Sequence, residues 1–285
     1  MIIQFAGGAY ETFSKNLNAQ ECVNFFTHID NEGGSSKLSL RGTPGLAEWK
    51  DTEYHDETRG AIQLKDFVYF VVGNKIYAIN EGKFSTECTG TLETNSSTVS
   101  MAVSSTQVMI VDGLYGYIVS GTTCTKITDE GFIQTPKSVT YQDGYFIVNN
   151  DSTVQISDLN DGTSWDSTMT LDAEGYADIN ISVISDHRDL FIFGAKTCEA
   201  WYNSGATVPF DRKPGTTQHV GIGARHSATQ LDNTIYFLTD DFKVARFEGY
   251  RPNAVSTRAI EHKIANYSVK SDAIGMGIKI EGNAF

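Results

Sequence analysis

Apolar residues along the chain fall into short runs separated by polar turns, and one three-part unit keeps returning. It consists of a strand, a short polar turn, a nearly continuous apolar strand, and then another turn and strand. The first unit occupies 61–64, a turn at Lys65-Asp66, 67–72, a Gly73-Asn74 turn and 75–79. Gly-Asn between apolar runs is a hairpin signal. Four further units follow, at 101–103, 108–111 and 114–119; at 138–141, 145–148 and 153–156; at 181–184, 190–193 and 197–202; and at 227–231, 235–238 and 243–247. Taking Val68, Val108, Tyr145, Leu190 and Ile235 as equivalent points gives steps of 40, 37, 45 and 45 residues. Blades of β-propellers repeat every ~40–50 residues.

The middle strands are apolar on both faces, which suits a sheet packed between neighbours on both sides; a two-layer sandwich would alternate in and out. The pattern therefore predicts an all-β, β-propeller-like fold with five recognisable blades and the start of a sixth. The sixth is read at Ile278-Lys279-Ile280, a turn at Glu281-Gly282-Asn283, and Ala284-Phe285. Stopping inside a hairpin leads us to expect either a shortened chain or a ring closed by another segment. Residues 1–58 are read as N-terminal strands and extended segment, with 23–26 and 38–40 as candidates to close the ring, and 59–285 as the blades, the last incomplete. One short inter-blade helix is expected at 258–264, capped by Ser256 or Thr257, with Ile260 and Ile264 as its apolar stripe. The Gly-, Thr- and Pro-containing stretch 203–222 is expected to project from the ring as a partner-binding loop.

Composition agrees with strands and tight turns, since 26 Gly, 13 Tyr and 16 Phe stand against 5 Pro. The formal net charge of −13 removes the basic stripe expected of a phosphate-gripping protein, so tight DNA binding is not expected. An acidic wall can still face DNA without holding it. Cys22, Cys88, Cys124 and Cys198 lack paired spacing and read as reduced, mostly buried thiols. No run approaches the ~18 apolar residues of a membrane span, and the N-terminus lacks a basic segment, so stable membrane insertion is not expected and assembly in the cytoplasm is.

Candidate chemistry is sparse. Asp158 to Trp165 resembles the Asp-box turn of sialidase-like propellers, with Asn160, Gly162 and Trp165 at the positions of the Asx, glycine and tryptophan. There the Asx side chain ties the turn to the backbone, Gly permits a tight conformation and Trp packs beneath, so the motif is read as structural. A sialidase would also need clustered arginines and a Tyr-Glu pair with a separate acid. The arginines, among them Arg59, Arg188, Arg212 and Arg225, sit at unrelated places in the repeat. The histidines show no metal spacing, and no phosphate loop, nucleophile elbow or recurring Trp-Asp pair occurs. No catalytic residue, metal or cofactor is therefore expected. A glycan-binding or sialidase-like propeller is the alternative, motivated by the Asp-box-like turn and the abundance of aromatics.

Several longer stretches carry a family resemblance in their order. They are Asn18-Ala19-Gln20-Glu21-Cys22-Val23-Asn24-Phe25, Arg41-Gly42-Thr43-Pro44-Gly45-Leu46, Arg59-Gly60, Asp186-His187-Arg188-Asp189-Leu190-Phe191, Glu199-Ala200-Trp201-Tyr202-Asn203, and Gly249-Tyr250 through Ser256-Thr257-Arg258-Ala259-Ile260-Glu261. This order resembles the packaged-DNA stabilisation protein family, the tail hub or nozzle of short-tailed phages. The resemblance implies a structural virion component in the tail. It would form a homo-oligomeric, hexameric ring beneath the portal or adaptor protein and near a tail needle or tail fibres and spikes. DNA would pass through its channel without sequence-specific binding.

Overall fold

The computed structural model describes residues 10–11, 19–20, 24–29, 38–43, 45–171, 178–280 and 283–284. Among them are five four-stranded antiparallel sheets in chain order, each a simple meander. Blade 1 runs from Thr58–Leu64 to Ser85–Glu87, and blade 2 from Ser100–Val103 to Thr123–Lys126. Blade 3 runs from Ser138–Gln142 to Asp161–Leu171, blade 4 from Asn180–Asp186 to Phe210–Arg212, and blade 5 from Thr229–Leu231 to Arg251–Ala254. First strands of blades 1 to 4 stand beside one another, so they line the axis and the fourth strands lie outermost. The fold is a β-propeller.

The blades are held by apolar layers between successive sheets. Along the middle strand of blade 2, Val108 and Ile110 pack toward blade 1 with Tyr69, Val71 and Ile76, while Met109 and Val111 pack toward blade 3 with Phe146 and Val148. This two-sided use follows from the period of two in a strand. Further layers join blades 3 and 4 around Ile147, Val154 and Trp201, and blades 4 and 5 around Phe193, Phe237 and Phe247. Pairing also refines the repeat. Tyr141 faces Phe146, as Gln63 faces Val68 and Ser185 faces Leu190, so Phe146 rather than Tyr145 is the equivalent point in blade 3. A slip of one residue exchanges the two faces, and Phe146 is fully buried where Tyr145 is not.

Hydroxyls stitch the inner strands across blades: Val139 N donates to Ser100 Oγ at 3.1 Å, Val183 N to Ser138 Oγ at 2.9 Å, and Ser185 N to Thr140 Oγ1 at 3.0 Å. Beyond blade 5 the chain forms α1 (Arg258–Ala265) and then returns along blade 5, where Gly275 N donates to His226 O and Gly277 N to Thr229 Oγ1. Lys279–Ile280 then pairs with Asn283–Ala284, the short hairpin expected of a sixth unit.

Three expectations are corrected. The stretch 203–222 is not a projecting loop, because Phe210–Arg212 is the fourth strand of blade 4, Phe210 is buried, and Gln218 bridges Cys198. Helix α1 is capped by Thr257, whose side chain accepts from Ile260 N, but the buried residue is Ala259; Ile260 is exposed. Leu38–Gly42 pairs with Phe25–Ile29 as a separate hairpin rather than adding to a blade; Val23 lies outside the described residues.

Candidate functional site

The Asp-box-like stretch crosses the turn between the third and fourth strands of blade 3, Val154–Asp158 and Asp161–Leu171. Asn160 contributes its backbone, with φ of 60°, in the left-handed region that Asn tolerates well. The Asx hydrogen bond comes from Asp161, whose Oδ1 accepts from Thr163 N at 2.9 Å, and Asp158 Oδ2 accepts from Ser164 Oγ at 2.6 Å. Trp165 Nε1 donates to Gly162 O at 2.8 Å, and its ring lies edge-on to Phe132 in the layer between blades 2 and 3. A Cβ on Gly162 would come within 2.6 Å of Ile118 Cδ1, so the glycine permits a close approach. The turn thus anchors one blade to its neighbour, and its polar groups are engaged with each other.

Three of the resemblance stretches also fall on joints. Arg59 is buried between blades 1 and 2, donating to Ser97 O, Gly73 O, Thr94 O and Thr94 Oγ1 at 2.6–2.9 Å. Thr94 donates in turn to Asp112 Oδ2, which also accepts from Tyr117 OH. Burial lowers the Arg59 pKa, and the charge of Asp112 acts against that shift. The neighbouring Gly60 has no room for a Cβ beside Val99. At the hairpin turns, Gln142 Nε2 donates to Arg188 O, and His187 meets Asp186 at 2.9 Å and Asn233 at 2.6 Å, chaining blades 3, 4 and 5. Lys213 Nζ lies 2.9 Å from both oxygens of Asp189 and 2.5 Å from Tyr250 OH, which itself donates to Asp189. The hydrogen bonds from Tyr250 and Asp189 raise its pKa, which keeps this lysine charged.

Cys88, Cys124 and Cys198 are buried free thiols, pushed up to about 11, 12 and 12 by burial, too high for thiolate chemistry at neutral pH. Cys22 lies outside the described residues. No group of three His, Cys, Asp or Glu residues fit to hold a metal occurs among the described residues, and no helix among them is long and apolar enough to cross a membrane.

One cavity of about 630 Å³ lies on the axis, lined by the first strands of all five blades. None of the described residues lining it is Asp or Glu, its cationic side chains are Arg59 and Arg225, and His226 lines it as well. The arginines of the outer strands are elsewhere: Arg212 pairs with the buried Glu199 at 3.0 Å, and Arg246 with Glu248 at 2.8 Å. Three arginines beside a Tyr-Glu pair, the arrangement sialidase chemistry requires, are therefore not assembled there.

Arg59, His187, Asp189 and Tyr250 of these joints lie in stretches that carry the family resemblance, and a family model described as Bacteriophage P22 Gp10, beta-propeller, matches residues 1–276. The chain belongs to this family of phage stabilisation proteins. Its members are phage structural proteins with a role in DNA retention, and association with the virion follows. No curated protein sequence matches the chain. Among solved structures it resembles two crystal structures of the extracellular domain of BT4673 from B. thetaiotaomicron, with TM-scores of 0.51 and 0.50 at 12% and 14% identity. It covers 71% and 81% of this chain but 28% and 32% of theirs, so it spans about a third of those proteins, and at this identity the likeness concerns the fold alone. The computationally designed Ika8 protein aligns over 92% of this chain and 77% of its own, with 14% identity and a TM-score of 0.49.

Proposed function

We propose that this phage structural protein is a subunit of the hub, or nozzle, of a short tail. In this reading several copies, six by the family pattern, form a ring below the portal and adaptor, help to retain the packaged genome, and line part of the ejection channel. A tail needle and tail fibres or spikes are the expected neighbours. The match to the stabilisation family over residues 1–276 carries the reading. One physical point agrees with it. The net charge of −13 repels phosphate, which favours sliding over gripping.

No enzymatic step is needed in this role. Electron microscopy of assembled particles is the test: the reading expects density for this propeller in a closed ring around the DNA path. Particles that lack the chain, or carry it as an isolated monomer away from the channel, would overturn it.

A further inference from the structure

The axial cavity has a chemistry opposite to that of the chain around it. The protein has 35 acidic against 22 Lys and Arg residues, yet no described residue lining the cavity is acidic. Of its cations, Arg59 commits four of its five N–H groups, to the carbonyls of Gly73, Thr94 and Ser97 and to Thr94 Oγ1. Arg225 is different. It lies in the segment that leads into the inner strand of blade 5, Thr229–Leu231, its Nε is out of solvent with no hydrogen-bond partner, and no ion pair is formed by it among the described residues. The acid whose charge it feels is Asp151, which is paired with Lys137. A guanidinium with an unpartnered, desolvated N–H is costly, and an anion that accepts from it offsets the cost.

The walls add donors. Ser100 and Thr140 each accept a backbone N–H from the neighbouring inner strand and Thr229 accepts one from Gly277, which leaves each hydroxyl proton without an acceptor among the described residues. His226, beside Arg225, is pushed down to about 4 by burial first and by the Arg225 charge second, so it enters the cavity as a neutral imidazole. We infer that the propeller axis is a binding site for a small oxyanion of the phosphate class, with Arg225 as the charged anchor and the inner-strand hydroxyls as supporting donors. The inference stands apart from the tail-hub reading, because it concerns the interior of one propeller and not the channel between copies.

The probe is inorganic phosphate, titrated calorimetrically into the purified chain at low ionic strength, with a 5′-phosphorylated oligonucleotide as a second arm. Saturable one-to-one phosphate binding is expected. Arg225→Gln should weaken it about tenfold or more, as expected for loss of a charge-assisted hydrogen bond. Arg246→Gln, on the outer face and paired with Glu248, should leave it unchanged. If Arg225→Gln fails to fold, Arg225→Lys takes its place, and weakened but retained binding is then expected. Absence of saturable phosphate binding, equal binding by the Arg225 variant, or binding of the oligonucleotide alone would overturn the inference.

Discussion

The middle strand of blade 2, Val108–Val111, is buried at every residue, whereas that of blade 5, Thr234–Leu238, alternates between buried Ile235 and Phe237 and half-buried Tyr236. Both are built from the same kinds of residue. The difference lies in what stands beside them: blade 2 has a sheet on each side, while blade 5 has blade 4 on one side and, on the other, α1 and the stretch 267–276 around a cavity of about 770 Å³. Blade 1 repeats this at the opposite edge, where Trp49 and Tyr54 rest on Phe70 and Val72 in place of a blade. In a propeller, then, burial on both faces is conferred by neighbours, and a middle strand is a core strand in the middle of the row and an alternating one at its end, where Thr234 and Tyr236 take the less buried positions.

The largest effect should come from an inter-blade layer. Phe193 is fully buried, with ring centroids 4.9 Å from Phe237 and 6.0 Å from Phe247. Phe193→Ala should cost about 3–5 kcal/mol. Tyr236→Ala on the edge face should cost less than half as much, measured by urea denaturation of both variants. Equal losses would show that the edge face is packed as tightly as a layer between sheets.

Next is the joint between blades 1 and 2. Arg59→Met keeps the stem but strands the carbonyls of Gly73, Thr94 and Ser97 in a buried site, at a cost of about 2–4 kcal/mol. A near-neutral result in thermal unfolding would show that water replaces the guanidinium.

The strands on which these joints rest were largely legible in the sequence, since five apolar units with Gly-Asn, Asp-Gly and Asp-Asn turns mark them directly. The fourth strands were not. Ser85–Glu87 is exposed throughout and Thr123–Lys126 is mostly polar, so an outermost strand has no apolar stripe to betray it. Phe210–Arg212 was hidden for another reason, lying within a stretch whose glycines and prolines read as a loop. In the Asp-box-like turn, Gly162 and Trp165 could be placed from sequence, but Asp161, not Asn160, makes the side-chain hydrogen bond, because both are Asx and only backbone geometry tells them apart. The axial cluster of Arg225 and His226 had no signal at all. Its cavity is assembled from five separate strands, and spacing along the chain carries no information about convergence at an axis.

A third expectation concerns pH and the axis. His226 has a folded pKa of about 4 against 6.5 for the free side chain, so above pH 6.5 it is neutral in both states and contributes nothing. As pH falls below 6.5 the unfolded chain takes up the proton first, and stability declines until about pH 4, where the folded form protonates as well. Between pH 7 and 5 the loss should be about 2 kcal/mol at most. His226→Asn should flatten this part of the profile. His187, raised by its hydrogen bonds to Asp186 and Asn233, acts with the opposite sign, its contribution being present below the free pKa and lost as pH rises through the folded one. A wild-type profile flat from pH 7 to 5 that tilts on His187→Asn would show that the turn pair and the axial histidine cancel.

The smallest effect on stability, and the most informative about the edge, is expected at Met276. Its side chain is 73% exposed beside Ile274, at 64%, on the stretch that lies against blade 5. Met276→Ser removes little buried surface, so unfolding of the isolated chain should change by no more than about 0.5 kcal/mol. Tyr267 and Val269, which line the same cavity, are exposed as well, and together they make an apolar face at the end of the row of blades. Clustered exposed apolar residues of this kind mark interaction surfaces more often than single ones do. If the contrast between interior and edge blades is only one of missing neighbours, Met276→Ser and Ile274→Ser should lower self-association in sedimentation experiments while leaving the urea midpoint in place. A fall in the midpoint instead would mean that the stretch 267–278 already serves blade 5 as a neighbouring layer, and that the two edges of the row differ from its interior less than their exposure suggests.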